Sequence, residues 1–186
     1  TAQAAASGGG NWCCAEYTPH QALPVCGCFF ETNSSPACAN AALADGAALS
    51  VAAEQLPALA SLLADPAIAK QAAYSKELRE LLLAHDIELA GVEDDIILAA
   101  YLLDATAGDY QLTQLAAEYG LAPAGDRAVD LAALTPGLAL EMRARLAEQQ
   151  MLELYEKMEL PLAAVLADME RAGVRVEGNK LAEMSS

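Results

Sequence analysis

Asp94-Asp95-Ile96-Ile97-Leu98-Ala99-Ala100-Tyr101-Leu102-Leu103-Asp104 is the stretch on which the fold class turns. Its apolar residues leave no polar face, so residues 96–103 read as a helix that must be covered on most sides. Asp94 and Asp95 at its start suit the positive end of a helix dipole, and Asp104 suits the turn that ends it. Immediately upstream, Ile87-Glu88-Leu89-Ala90-Gly91-Val92 is a short extended segment. Residues 76–85 form an amphipathic helix that Ser75 is placed to cap. Leu78, Leu81 and Leu82 make its apolar stripe, while Lys76, Glu77, Arg79 and Glu80 are expected to face water. Residues 68–74 read as a buried strand, and from Val51 the spacing of Leu56, Leu59, Leu62 and Leu63 predicts a helix stopped by Asp65-Pro66. Strands alternating with helices predict an α/β layer fold.

Working outward, residues 12–17 and 25–30 read as two antiparallel strands joined by a proline-bounded loop. Residues 37–43 read as a third strand after the turn cluster at 32–36. Beyond Asp104 no strand is expected. Residues 110–119 predict a short helix ended by Gly120, and residues 138–158 a long one in which Leu140, Met142, Leu146, Met151, Leu152 and Leu154 bury a face. Pro161 marks a break or a first-turn position before Leu162, Val165, Leu166 and Met169 at helical spacing. Gly173 is its cap, with residues 174–176 extended. The alanine-rich stretches 31–50 and 121–137 carry little periodic contrast.

The chain has 186 residues, 55% of them hydrophobic, enough for one domain with a sizeable core. Ten Lys and Arg against 26 Asp and Glu give a formal charge of −16, which disfavours a free-standing, electrostatically driven nucleic-acid binder. No apolar run approaches the roughly 20 residues of a membrane span. Residues 1–10 lack the features of a signal or transit peptide and read as a flexible linker on a piece of something longer, with a cytoplasmic setting expected. Cys13, Cys14, Cys26, Cys28 and Cys38 are an odd number, without a Cys-x-x-Cys pair, so reduced thiols are favoured over disulfides. A soft-metal cluster with His20 is the alternative for them.

Two stretches carry more than pattern. Residues 155–176, with Glu159-Leu160-Pro161-Leu162 followed by Met169-Glu170-Arg171-Ala172-Gly173-Val174-Arg175-Val176, resemble the start of the polymerase domain of the A-family, bacterial DNA polymerase I. Residues 86–104, continued by Leu112-Thr113-Gln114-Leu115-Ala116, resemble the same family's 3′–5′ exonuclease-type domain. The resemblance covers roughly residues 86–120 and 151–184. It implies a ribonuclease-H-like fold, a mixed sheet flanked by helices, with a C-terminal helical extension. The implied division is a linker at 1–10, an exonuclease-like domain at 11–150, and a connecting helix with the first polymerase-domain residues at 151–186. No polymerase carboxylate pair falls within the chain.

Active members of that family cleave with two metal ions held by carboxylates, since Mg²⁺ takes hard oxygen ligands. The resemblance puts an Asp-x-Glu pair on the first strand, near Trp12 and Cys14, or with a gap toward Glu16; no such pair is present. The family's Lys-Tyr-Asp falls on Lys76-Glu77-Leu78, so leucine replaces the ligating aspartate. Residues 135–150 contain no tyrosine, and the Tyr-x-x-x-Asp signature is absent. Glu77 lies about 100° around the helix from Leu78 and points elsewhere. Asp94, Asp95 and Asp104 are helix-end and turn chemistry. His85 and His20 have no nucleophile partner at a recognisable spacing, and Gly8-Gly9-Gly10 lacks the Lys-Ser/Thr of a phosphate cradle. Arg143, Arg145, Lys157, Arg171, Arg175 and Lys180 stand among acidic neighbours and read as solvated helix faces.

The expectation is therefore an inactive exonuclease-like domain, with no catalytic, cofactor or metal residues of its own. It would support the polymerase domain of a DNA-directed DNA polymerase in replication and repair. Its partners would be that domain, and DNA through the parent protein, with Mg²⁺ confined to the polymerase domain. The alternatives are an active two-metal exonuclease with relocated ligands, Glu16 or Glu77, and an acidic protein-binding module.

Overall fold

The computed structural model describes residues 26–31, 38–43, 48–123, 125, 128–175, 180 and 184. Strands β1 (Cys26–Glu31), β2 (Cys38–Leu43) and β3 (Ala48–Ala52) form an antiparallel meander. A 3₁₀ segment, Ala53–Leu59, runs into α1 (Ala60–Ala64). Then β4 (Lys70–Ala72) returns parallel to β1, and α2 (Ser75–Ala84) leads to β5 (Val92–Asp95), parallel to β4. The sheet is mixed, as expected, with the order β3-β2-β1-β4-β5. Helices α3 (Ile96–Leu103), α4 (Leu112–Glu118), α5 (Ala128–Ala132) and α6 (Thr135–Glu148) follow. The last helical stretch is α7 (Leu152–Leu154), a π turn (Tyr155–Glu159) and α8 (Leu160–Ala172).

Two apolar cores are separated at β4, where consecutive residues of an extended chain point to opposite sides. Ala72 joins Val51, Leu56, Leu63, Leu78, Leu82, Ile87 and Leu89. Its neighbour Ala73 joins Ile96, Ala99, Leu115, Leu138, Met142, Leu146 and Tyr155. The close spacing of β4 and β5 requires glycine at 91, because at φ +71° a Cβ there would stand 2.5 Å from the Ile68 carbonyl oxygen. The Gly91 carbonyl in turn accepts from Lys70 N at 2.8 Å.

Several expectations are corrected. The strand read over 12–17 lies outside the described residues. Val51 belongs to β3 rather than to a helix, because the register of β2 carries the chain to Ala52. The extended segment read at 87–92 is displaced, β5 beginning only at Val92. The long helix read over 138–158 is two helices, since Gln150 takes φ +59° and Met151 N bonds back to the Leu146 carbonyl. Leu140 is therefore on the outer side of α6, exposed rather than buried. Of the two readings of Pro161, the first-turn position holds: it is the second residue of α8, directly after the π turn, and the helical path continues through it. Gly173 does cap α8, its N–H reaching the carbonyls of Met169 and Glu170.

Ser75 makes no side-chain cap to α2. Instead Asp95, at the far end of β5, supplies the oxygen: its Oδ2 accepts from Ser75 N at 2.7 Å. Its Oδ1 accepts from Ile97 N at 3.0 Å and Leu98 N at 3.1 Å, capping α3 as the sequence anticipates. β5 is an edge strand, and its exposed backbone polar groups need partners. Tyr155 supplies them: its hydroxyl accepts from Asp95 N at 2.7 Å and donates to Asp95 O at 3.2 Å. Burial holds the phenol protonated, far above its ordinary range.

Two outcomes follow from this junction. Tyr155→Phe keeps the ring and strands the Asp95 peptide groups, so urea unfolding should show a loss of about 1–3 kcal/mol; an unchanged midpoint would mean the hydroxyl contributes nothing. Burial pushes the Asp95 carboxyl up to about 6, against the lowering effect of its bonds from Ser75 and Leu98. A raised folded value means that Asp95 favours the fold fully below its unfolded value and loses that contribution as pH rises through about 6. Relative to Asp95→Asn, the wild type should lose on the order of 3 kcal/mol between about pH 4 and about pH 7. Urea titrations across that range check it, and a constant gap between the two proteins would overturn it.

Candidate functional site

The positions where the resemblance implies metal ligands divide into one unseen and two seen. Trp12, Cys14 and Glu16 lie outside the described residues, as do Cys13 and His20. Leu78 is described fully: it sits in the first turns of α2 and is buried in the core with Val51, Leu56, Leu63 and Leu82. Its helix neighbour Glu77 lies on another face, lining a groove between α2, α3 and α8 together with Tyr74 and Asp95. The late helix α6 turns Leu138, Ala139, Met142 and Leu146 into the other core. Thr135 at its start is buried, with its Oγ1 lacking a hydrogen-bond partner among the described residues.

The three aspartates set aside by sequence each have a structural employment. Asp95 caps α3 and holds α2. Asp104 accepts from Thr106 N at 3.0 Å and Thr106 Oγ1 at 2.6 Å, bonds that hold its carboxyl below the usual range. Asp94 differs from the expectation, being a buried residue of β5 rather than a helix terminus. Its Oδ1 meets Arg143 Nη1 at 2.8 Å and its Oδ2 accepts from Gln71 Nε2 at 3.0 Å. Arg143 also reaches Glu156 on the π turn, so one guanidinium ties β5, α6 and the last helical stretch. A buried carboxylate needs such a partner, and two carboxylates share this one.

Arg145 and Lys157, read as part of a solvated face, are exposed and paired with exposed acids. Arg145 stacks over the Tyr119 ring at 4.1 Å and pairs with Glu118, and Lys157 pairs with Glu153 at 2.6 Å. On α2, Lys76 and Arg79 reach across to α8 while staying partly exposed: Lys76 Nζ lies 2.9 Å from Glu170 Oε1, and Arg79 Nε lies 3.3 Å from Asp168 Oδ1. Arg79 also donates to the Leu89 carbonyl at 3.1 Å. His85 is the residue that ends α2. Of the cysteines, Cys26 and Cys28 lie in β1 and Cys38 in β2, where it pairs with Glu31 in the register.

Chemically, the described residues do not fit a two-metal site. Among them, no three His, Cys, Asp or Glu side chains gather as metal ligands. A cleft of about 540 Å³ opens between α2, β5 and α8, lined by Ser75, Arg79, Glu93, Arg143 and Glu156. Arg79, Arg143 and Glu156 there are already paired, with Asp168, with Asp94 and Glu156, and with Arg143. The junction of Tyr155 with Asp95 and the Arg143 network escaped the sequence reading. A tyrosine inside a helical apolar pattern, and an arginine amid glutamates, carry no sign of a partner some 50 to 60 residues away.

The chain is similar to known proteins in sequence and in fold. Residues 46–126 match the family described as DNA polymerase I, ribonuclease H-like domain. DNA polymerase I of Bacillus subtilis (strain 168) is 33% identical over 123 residues, which is 53% of this chain and 14% of that protein. The DNA polymerase I of Rhizobium leguminosarum is 31% identical over 156 residues, 71% of this chain and 15% of that protein. Among solved structures, the POL domain of Pol1 from M. smegmatis in complex with DNA primer-template and dNTP superposes with a TM-score of 0.72 at 30% identity. That match covers 85% of this chain and 30% of the other. The chain thus spans only a small part of the length of these relatives. Residues 46–126 belong to the ribonuclease H-like, exonuclease-type domain of the DNA polymerase I family.

Proposed function

We propose that this chain is an exonuclease-type domain that has given up metal-dependent cleavage and serves as a packed support for the polymerase domain of a DNA polymerase I. Its setting is DNA replication and repair in the cytoplasm. The observation that carries this reading is Leu78, buried among apolar side chains where the resemblance implies a ligating aspartate. Two-metal cleavage needs hard oxygens converging within a few ångströms, and a leucine in a core supplies none. The absence of a tyrosine from α6, and the structural commitments of Asp94, Asp95 and Asp104, support the same reading.

DNA in this proposal is reached through the parent protein. A formal charge of −16 opposes a polyanion, and Arg143, Arg145 and Lys157 are already paired with carboxylates. Magnesium belongs to the polymerase domain, and the chain itself holds no cofactor. No helix among the described residues is long and apolar enough to cross a membrane.

Incubating the chain with a 3′-labelled single-stranded oligonucleotide at saturating Mg²⁺ or Mn²⁺ should release no nucleotide, and calorimetric titration of either ion should give no heat of specific binding. Metal-dependent release would replace the proposal by an active exonuclease with ligands such as Glu16 or Glu77. Restoring the aspartate is a second check. Leu78→Asp buries an unpaired carboxylate in an apolar cluster and should cost about 3 kcal/mol or more in urea unfolding without yielding nuclease activity. Wild-type stability in that variant, or cleavage by it, would show that position 78 still faces a ligand-ready site.

A further inference from the structure

Lys70 stands where a lysine is costly. It lies on β4, between β1 and β5 in the sheet, and is only 1% exposed. Two residues on, Ala72 joins the core of Leu63 and Leu89, so the Lys70 stem leaves the strand on that apolar side. An ammonium buried there loses its hydration and needs oxygens in exchange. The turn between α1 and β4 supplies them as backbone carbonyls: Nζ donates to Asp65 O at 2.7 Å and to Ile68 O at 2.9 Å.

The same turn gathers a third carbonyl. The place that a Cβ on Gly91 would take lies 2.5 Å from Ile68 O, 3.1 Å from Pro66 O and 3.3 Å from Asp65 O. Carbonyl oxygens crowded into one small region repel one another, and a compact cation among them answers the repulsion as carbonyl rings do for a dehydrated monovalent ion. The turn also has bonds of its own, from Ile68 N to Asp65 O at 3.3 Å and from Ala67 N to Asp65 Oδ1 at 2.8 Å. Lys70 then grips the crossing of β4 and β5 from two directions. Its N–H donates to Gly91 O at 2.8 Å, while its Nζ holds carbonyls that press on Gly91. We propose that residues 65–68 form a monovalent-cation site of backbone carbonyls, occupied by the Lys70 ammonium as a tethered ion, and that once this side chain is cut back the site takes a primary alkylammonium from solution. The site goes beyond the support role and does not depend on it.

Chemical rescue reads the site directly. Lys70→Ala removes three methylene groups and the ammonium, a shape that propylammonium matches. Urea unfolding of this variant should show the folded-to-unfolded ratio rising about tenfold in propylammonium chloride at roughly ten times its dissociation constant. Sodium chloride, tetramethylammonium chloride and 1-propanol at the same concentration should leave the ratio unchanged, since none combines a compact charge with N–H donors. Lys70→Met, which fills the space of the stem, should also show no gain in propylammonium. Absence of rescue in Lys70→Ala would overturn the site. Equal rescue by propanol would reduce Lys70 to packing, equal rescue by either salt to general screening, and a gain in Lys70→Met would put the amine elsewhere; each overturns it. If Lys70→Ala is unfolded in every solution, the wild-type chain decides. In its amine-selective ¹H–¹⁵N spectrum at neutral pH the Lys70 ammonium should give a slowly exchanging signal, while that of exposed Lys157 is lost to exchange with water. Loss of the Lys70 signal under the same conditions would overturn the buried, carbonyl-bound ammonium and the site with it.

Discussion

A single buried carboxylate, that of Asp95, accepts hydrogen bonds from the backbone N–H groups of Ser75, Ile97 and Leu98, and so begins two helices at once. Each of those N–H groups would otherwise be an orphan donor at a helix terminus. Removing the acceptor would unsettle α2 and α3 together, and with them the packing of both cores. Tyr155 completes the junction from the other side of the chain, satisfying the Asp95 peptide with a hydroxyl on a ring buried in the core of Ala73, Ile96 and Met142. The last helical stretch is thereby fastened to the sheet edge by one phenol and, at the next residue, by the Arg143–Glu156 pair. These are short, directional contacts, and they fix the position of α8 more tightly than its alanine face alone would.

The same junction shows how two buried acids, Asp94 and Asp95, are answered within the fold. Carboxylates close together repel and resist burial unless something positive or a set of donors answers them. Asp94 is answered by Arg143 and Gln71, and Asp95 by three backbone donors. Burial nonetheless raises Asp95 to about 6, so part of its cost remains uncompensated. At position 78 the answer is different: the acid is absent and a leucine fills the space. Adding an apolar side chain there extends the core from Leu82 toward Val51 and Leu56, and the gain is hydrophobic burial where a ligand would have needed a metal to be stable.

Much of this architecture was legible because it rests on local signals. Helix α3 coincides with the apolar run at 96–103, Gly120 and Gly173 follow α4 and α8 with positive φ, and the strand read at 37–43 is β2. What escaped was decided at a distance. β3 is alanine-rich, and only its pairing with β2 distinguishes it from a helix. The cap of α2 comes from a residue 20 positions away, so no local capping rule finds it. Lys76 and Arg79 read as solvated because their carboxylate partners lie about 90 positions downstream. At the candidate site, the leucine at 78 was set against the implied aspartate by the motif around it, whereas its burial in a core was a matter of tertiary packing.

Helix α8 shows how local pattern and tertiary fate part company. Leu162, Val165, Leu166 and Met169 have the spacing of a core-facing stripe, and periodicity alone assigns such a stripe to the interior. Two charge pairs and a row of alanines rotate the helix the other way. Alanine lets α8 approach α2 closely, and Lys76–Glu170 with Arg79–Asp168 hold the helix from the two flanks of its alanine face. Surface ion pairs contribute little stability individually. Here their effect is one of orientation, choosing which of two helix faces is buried, and a small energy suffices for that choice when the alanine face already fits.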